Sequence, residues 1–175
     1  LKFTKKIIQH EASGIIEVDL DPFYDSRGQI WSVYQDSGLF PRFVEDKITI
    51  SSRNVLRGFH GDSDTGKLIA CLKGKIQLVV VDARAASNLY GETREYLISD
   101  KNPKLVYVPP GFINAHLCLS KDCIFYYKWT KEYTGPEKQV TIRWNDPDIA
   151  ANWKTSNPVL SQRDTQGTSF KLVKL

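Results

Sequence analysis

Short β-like runs, each closed by a turn signal, recur along almost the whole chain. They fall at Ile15–Leu20, Ile30–Tyr34, Lys47–Ser51, Asn54–Phe59, Lys67–Leu72, Ile76–Asp82, Glu95–Ser99, Leu105–Val108, Ala115–Leu119, Cys123–Thr130 and Val140–Trp144. β-Branched and aromatic residues dominate them. The punctuation is "SRG", "KGK", "NLYGE", "DKNP", "PPG" and "TGP", where Gly, Pro and Asn favour turns over strands. No segment keeps an apolar period of 3.6 over three turns. A helical turn is expected only at Asp146–Ala150, where "NDPDI" offers an N-cap followed by Pro. Many short strands at this spacing predict an all-β sandwich or barrel with little helix, a jelly roll foremost. The 175 residues suit one domain, 1–175, with a core of its own. Residues 165–175 are expected to wrap loosely or to pack on a partner.

Charge and apolar patterning narrow the function classes. The net charge is +4 and the basic residues are scattered, so there is no arm for nucleic acid. A small anionic ligand suits such a chain. No apolar run is long enough to span a bilayer; "LVVV" (78–81) has the length of a buried strand. The start "LKFTKKIIQH" is charged but lacks the apolar region of a signal peptide. The chain contains no Met, so its natural initiator is expected to lie outside this sequence. Cys71, Cys118 and Cys123 are odd in number and form no CxxC pair. Free thiols in a reducing cytoplasm are therefore expected, rather than a disulfide framework or a zinc site.

The unusual polar residues gather in a few strands. "NVLRGFHGD" (54–62) sets Arg57, His60 and Asp62 around two glycines. Metal-binding jelly rolls place paired imidazoles two residues apart on one strand face, with a third after a "PxG" turn. Here "FHGD" lacks the second imidazole, and "PPGFINAH" carries Asn114 where a ligand would stand. No metal is expected. His60 suits a general base, because an imidazole titrates near neutral pH; Asp164 and Asp62 are both candidates to fix its tautomer. A hydrogen-bonded histidine lining a barrel mouth is the plainer reading. His10 lies in a polar terminal stretch and is expected to be solvated. In "CIFYYKWT", alternation puts Phe125, Tyr127 and Trp129 on one face, and Ile124, Tyr126 and Lys128 on the other. One tyrosine hydroxyl thus points inward, beside Arg57, His60 and Lys67. Arg57 and His60 differ by an odd number of positions, so a flat strand separates their faces. A bulge at Gly58 is expected if both touch one ligand.

The motifs "FYDSRGQIW", "NVLRGFHGD", "GKLIACLKGKIQLVVVDAR", "VPPGFINAH", "FYYKWTKEY", "IRWNDPDI" and "PVLSQRD" occur in this order from about Phe23 to Asp164. The chain resembles the 3,5-epimerases of nucleotide-linked 4-keto-6-deoxy sugars, whose type member is dTDP-4-dehydrorhamnose 3,5-epimerase. The resemblance implies a cupin-type jelly roll without metal or cofactor, working as a homodimer on a nucleotide-linked 4-keto sugar. It implies His60 as base, Tyr127 as acid across the ring, Asp164 as the partner of His60, and Lys67 at the enolate oxygen. Arg57 and Tyr133 would meet the nucleotide, and Phe23 and Arg27 would reach it from the other subunit. Lys47, Asn114, His116 and Arg163 complete the expected substrate-binding set. Three positions depart from the type enzymes: Asn114 replaces the histidine of the "GFAHGF" turn, Ser32 a glutamate, and Lys47 an amide. "HGD", "NAH" and "YYK" look more like the branch acting on GDP-linked 4-keto-6-deoxyheptoses in capsule synthesis. The expected activity is inversion at C3, C5 or both, with GDP-linked heptose favoured over dTDP-linked hexose. A nucleotide-sugar 3,4-ketoisomerase and a non-catalytic sugar-nucleotide-binding module are the alternatives.

Overall fold

The computed structural model describes residues 3–175. Two antiparallel sheets lie face to face. The first has the strand order β1 (Thr4–His10), β2 (Ile15–Leu20), β10 (Lys104–Val108), β7 (Lys67–Lys73), β12 (Asp122–Trp129), β5 (Glu45–Ser52). The second runs β13 (Val140–Thr141), β6 (Leu56–Gly61), β11 (Phe112–Cys118), β8 (Lys75–Asp82), β9 (Thr93–Ser99). A small hairpin pairs β3 (Phe23–Asp25) with β4 (Gly28–Ile30). Among the described residues, helix is confined to α1 (Gln162–Thr165) and two 3₁₀ turns, Pro136–Lys138 and Phe170–Leu172. The fold is the all-β jelly-roll sandwich that the strand spacing predicts.

The central strands of both sheets are covered on both faces. Ile69, Cys71, Val106 and Phe125 of the first sheet meet Ile76, Leu78, Val80 and Ile98 of the second in the space between them. The outer face of the second sheet, with Leu56, Phe59, Val79, Val81 and Ile113, is covered by Ile142, Ile149, Phe170 and Val173. The outer face of the first, with Val18, Leu68, Leu105 and Tyr107, is covered by Trp31, Val33, Tyr34, Phe40 and Phe43. Two-sided burial explains why β7 and β8 read as nearly unbroken apolar runs rather than as alternation.

Three expectations change. Of the run from Ile30 to Tyr34, only Ile30 is strand, as the end of β4; Trp31–Tyr34 is a loop whose apolar side chains cover a sheet rather than pair in one. β1 and the β3–β4 hairpin were not anticipated. The helical turn expected at Asp146–Ala150 is present, closed by Ala150 N–H donating to Asp146 O at 3.0 Å. The C-terminal segment does not wrap loosely: Phe170 and Val173 are buried, Tyr90 Oη donates to Val173 O at 2.7 Å, and Leu175 exchanges backbone hydrogen bonds with Ala83 and Ala85. His10 is also less solvated than expected, with Nε2 2.8 Å from Glu17 Oε1 and Nδ1 2.9 Å from Arg94 Nη1.

Candidate active site

Between the sheets the filling changes character. One end is packed by Cys71, Cys123 and Ile76. At the other, a cavity of about 340 Å³ is lined by polar side chains from both sheets, a volume within the range of small-ligand sites. β6 supplies Arg57 and His60, β7 Lys67, β11 Asn114 and His116, β12 Phe125, Tyr127 and Trp129, and β5 Lys47 and Thr49. Tyr133, Gln139, Ser161, Arg163 and Asp164 close it from loops and from α1.

The expected break in β6 is present. His60 faces Asn114 and Arg57 faces His116, so β6 advances three positions where β11 advances two. The extra residue restores parity: Arg57 and His60 both turn into the cavity while Leu56 and Phe59 both enter the outer core. Gly58 makes this possible. Its φ is +116°, and a Cβ there would lie 2.6 Å from Asn114 O and 2.7 Å from Ala115 Cβ.

Asp164 is placed by a cap. Ser161 is the N-cap of α1: its Oγ accepts from Asp164 N–H at 3.1 Å and donates to Asp164 Oδ2 at 2.8 Å. Asp164 is 2% exposed, with Oδ1 2.7 Å from His60 Nε2. The approach is short but bent, an ion-pair contact rather than an aligned hydrogen bond. It leaves Nδ1 of His60 as the nitrogen free for other partners. Burial pushes the His60 pKa down; Asp164 opposes this, and the charges of Arg163 and Lys67 reinforce it, so the ring is held below its ordinary value. Burial raises Asp164, but its contacts with His60, Ser161 and the Gly58 N–H outweigh this and hold it below the usual carboxylate range. The neighbouring Asp62 is occupied elsewhere, accepting from the Asp64 and Thr65 amides and from Gln139.

Lys67 is 4% exposed. Its Nζ donates to Asn114 Oδ1 at 3.0 Å and His60 O at 3.3 Å. Burial pushes its pKa down to about 8. Burial also raises the Tyr127 phenol above its ordinary value, keeping it protonated at neutral pH. Arg57 Nε donates to Ser51 Oγ at 3.1 Å, Arg163 Nε donates to Thr141 Oγ1 at 2.7 Å, and Lys47 Nζ lies 3.7 Å from the centroid of the Tyr133 ring. Four cationic side chains against one carboxylate make a cavity that attracts anions. A neutral imidazole backed by a carboxylate, a protonated phenol and a buried ammonium can together move protons at a carbon beside a carbonyl.

A sequence model of the dTDP-4-dehydrorhamnose 3,5-epimerase family matches residues 9–171. The chain belongs to that family. It is thereby an isomerase, of the epimerase class. Relatives in the family include the dTDP-4-dehydrorhamnose 3,5-epimerases of Methanothermobacter thermautotrophicus, 35% identical with 91% of each chain covered, and of Escherichia coli K12, 34% identical with 90% of each covered. Among solved structures, dTDP-6-deoxy-D-glucose-3,5-epimerase RmlC from Legionella pneumophila, in complex with dTDP-4-keto-L-rhamnose, matches with a TM-score of 0.88 at 30% identity, over 95% of this chain and 93% of that one.

The epimerase fold brings ten of the twelve expected site residues to this cavity: His60, Tyr127, Asp164, Lys67, Arg57, Lys47, Asn114, His116, Tyr133 and Arg163. The other two, Phe23 and Arg27, sit on the β3–β4 hairpin and line a separate shallow surface pocket. Arg27 there pairs with Asp25. Thr49, Gln139 and Ser161 also line the main cavity and were not anticipated. Thr49 shares a strand face with Lys47, and Ser161 precedes Asp164 at N-cap spacing, so both carried a signal. Gln139 carried none.

Proposed function

We propose that this epimerase acts on a nucleotide-linked 4-keto-6-deoxy sugar by proton transfer through an enolate. The observation that carries the proposal is one cavity shared by the His60–Asp164 pair, the Tyr127 phenol and the buried Lys67. His60 removes the proton from a carbon beside the ketone, and that proton is acidic because the charge left behind delocalises onto oxygen. Lys67 holds the oxyanion. Tyr127 returns a proton to the opposite ring face, which inverts the centre. Asp164 fixes the ring of His60 and stabilises its charged form. No metal enters the scheme. The Lys67 ammonium, with Arg57, Lys47 and Arg163, would repel a divalent cation. The same cations suit the diphosphate of the substrate. Phe23 and Arg27 would complete the nucleotide site from the second subunit of a homodimer.

For the nucleotide we favour GDP linked to a heptose, on the strength of "HGD", "NAH" and "YYK" and of Lys47 at the cavity. A dTDP-linked hexose is the second reading, supported by the names of the relatives. Incubating GDP- and dTDP-linked 4-keto sugars with the enzyme in heavy water, with proton NMR as the readout, distinguishes them. Deuterium at C3, C5 or both supports epimerisation. Movement of the carbonyl would reveal a ketoisomerase, and an unlabelled but bound substrate a binding module. His60→Ala and Tyr127→Phe are each expected to slow exchange by about a hundredfold to ten-thousandfold, since a positioned acid or base contributes on that scale. Full activity in either folded variant refutes the assignment.

A further inference from the structure

Among the described residues, three buried polar atoms of the cavity lining have no hydrogen-bond partner and no role in this scheme: Thr49 Oγ1, Trp129 Nε1 and His116 Nε2. His116 stands two residues after Asn114 on β11, so both side chains point inward. It is 4% exposed, and its Nε2 is buried with no hydrogen-bond partner among the described residues. The ring is held in place by stacking on Phe125, with centroids 3.8 Å apart and planes 6° from parallel. A buried ring atom that cannot swing to water and meets no protein group has a desolvation penalty that only a ligand or an ordered water can relieve. A phenyl ring would fill the same space without that penalty.

The chemistry of the missing partner follows from the charge on the ring. Burial, reinforced by the charges of Arg57 and His60, pushes the His116 pKa down to about 3, so the imidazole is neutral at ordinary pH. A neutral imidazole offers one N–H donor and one bare acceptor nitrogen. An anion has no preference for such a ring over the cations nearby, and a methyl group would leave Nε2 unpaired. A hydroxyl group both donates and accepts, so it satisfies Nε2 in either tautomer. We propose that His116 is a specificity residue whose Nε2 hydrogen-bonds a ring hydroxyl of the bound sugar. This rests on the reading of the cavity as a nucleotide-linked sugar site.

Binding calorimetry with GDP- and dTDP-linked 6-deoxyhexoses, which lack the 4-ketone and do not turn over, tests the proposal. Their 2-deoxy and 3-deoxy analogues and the free nucleoside diphosphates are measured alongside. His116→Phe is expected to bind the nucleotide sugar about tenfold more weakly than the unmodified enzyme, and the nucleoside diphosphate equally well. For one of the two deoxy analogues the difference between variant and parent should vanish. His116→Leu reads the same loss if the phenylalanine variant does not fold. Equal binding by variant and parent overturns the proposal. So does a loss of the same size on the nucleoside diphosphate or on both deoxy analogues, because that marks a packing defect. A parent enzyme that binds none of these ligands and exchanges no deuterium overturns the nucleotide-sugar reading as well; a negative result in an active parent overturns the role of His116 alone.

Discussion

Lys67 is buried among neutral oxygens. Its ammonium donates to an amide oxygen and a backbone carbonyl, and no carboxylate among the described residues lies within ion-pair distance of it. Its pKa of about 8 therefore sits well below the ordinary lysine value. As pH rises through 8 the ammonium loses its proton, and with it the charge proposed to hold the enolate. The kcat/KM for epimerisation should fall above pH 8, and Lys67→Arg, which stays charged, should abolish that fall. Stability moves the other way. Between about pH 8 and 10 the folded state has released a proton that the unfolded state still holds, so folding gains with pH. The gain is about 3 kcal/mol in full, and denaturant titrations at pH 7.5 and 10 should show it in the parent and not in Lys67→Met. The residues proposed as base and acid were legible in the sequence because they break the apolar pattern of their strands: His60 in "FHGD", Tyr127 in an aromatic face. The partner of His60 was open between Asp62 and Asp164 on the residues alone, and the family resemblance pointed to Asp164. Only the fold shows that Asp62 is engaged by the amides of its own turn and that Ser161 presents Asp164.

At the level of whole elements, the bulge in β6 decides whether the site exists at all. Arg57 and His60 share the cavity only because β6 carries one residue more than β11 across that interval. Gly58→Ala places a methyl group against the backbone of Asn114 and Ala115 in a conformation that L-residues rarely adopt. It should cost at least about 2 kcal/mol by chemical unfolding. Exchange activity should fall further than that loss explains, because any relaxation that straightens the strand turns His60 away from Asp164. A variant with parental stability and parental exchange would show that the bulge does not depend on glycine. Odd spacing between two polar residues around a glycine was enough to anticipate this break from sequence. Strand positions were similarly legible where turns bound them closely, as at Ile15–Leu20, which matches β2 residue for residue. They were not legible where apolar residues serve a covering loop: Trp31, Val33 and Tyr34 have strand-like composition but lie over the outer face of the first sheet. β1 was hidden for the opposite reason. Its "TKKIIQH" pairs with β2 at the sheet margin and buries little.

For the molecule as a whole, the surface is unfinished on one side. β5 is the last strand of the six-stranded sheet, eight residues long and paired on one side only. Ile48 and Ile50 on its outer face are 59% and 71% exposed. The β3–β4 hairpin likewise leaves Phe23, Tyr24 and Ile30 in solvent. A long apolar edge invites pairing with another chain. The inner face of the same strand carries Lys47 and Thr49 into the cavity, so whatever covers β5 comes close to the site. A homodimer in which each hairpin reaches the neighbouring cavity accounts for both features. Light scattering should then give about twice the 19.9 kDa chain mass, and Ile50→Lys should shift it toward the single chain. Complementation decides whether the hairpin works in trans. His60→Ala lacks the base and keeps Arg27; Arg27→Ala keeps the base and, on this account, binds substrate weakly. In a mixed dimer, the site that retains His60 receives an intact Arg27 from its neighbour, while the other site lacks both. Unfolding and refolding the two inactive proteins together should therefore restore up to half of the parental activity in the mixed dimers. If Arg27 served its own chain, or did not reach a cavity, mixing would restore nothing beyond the sum of the two proteins alone.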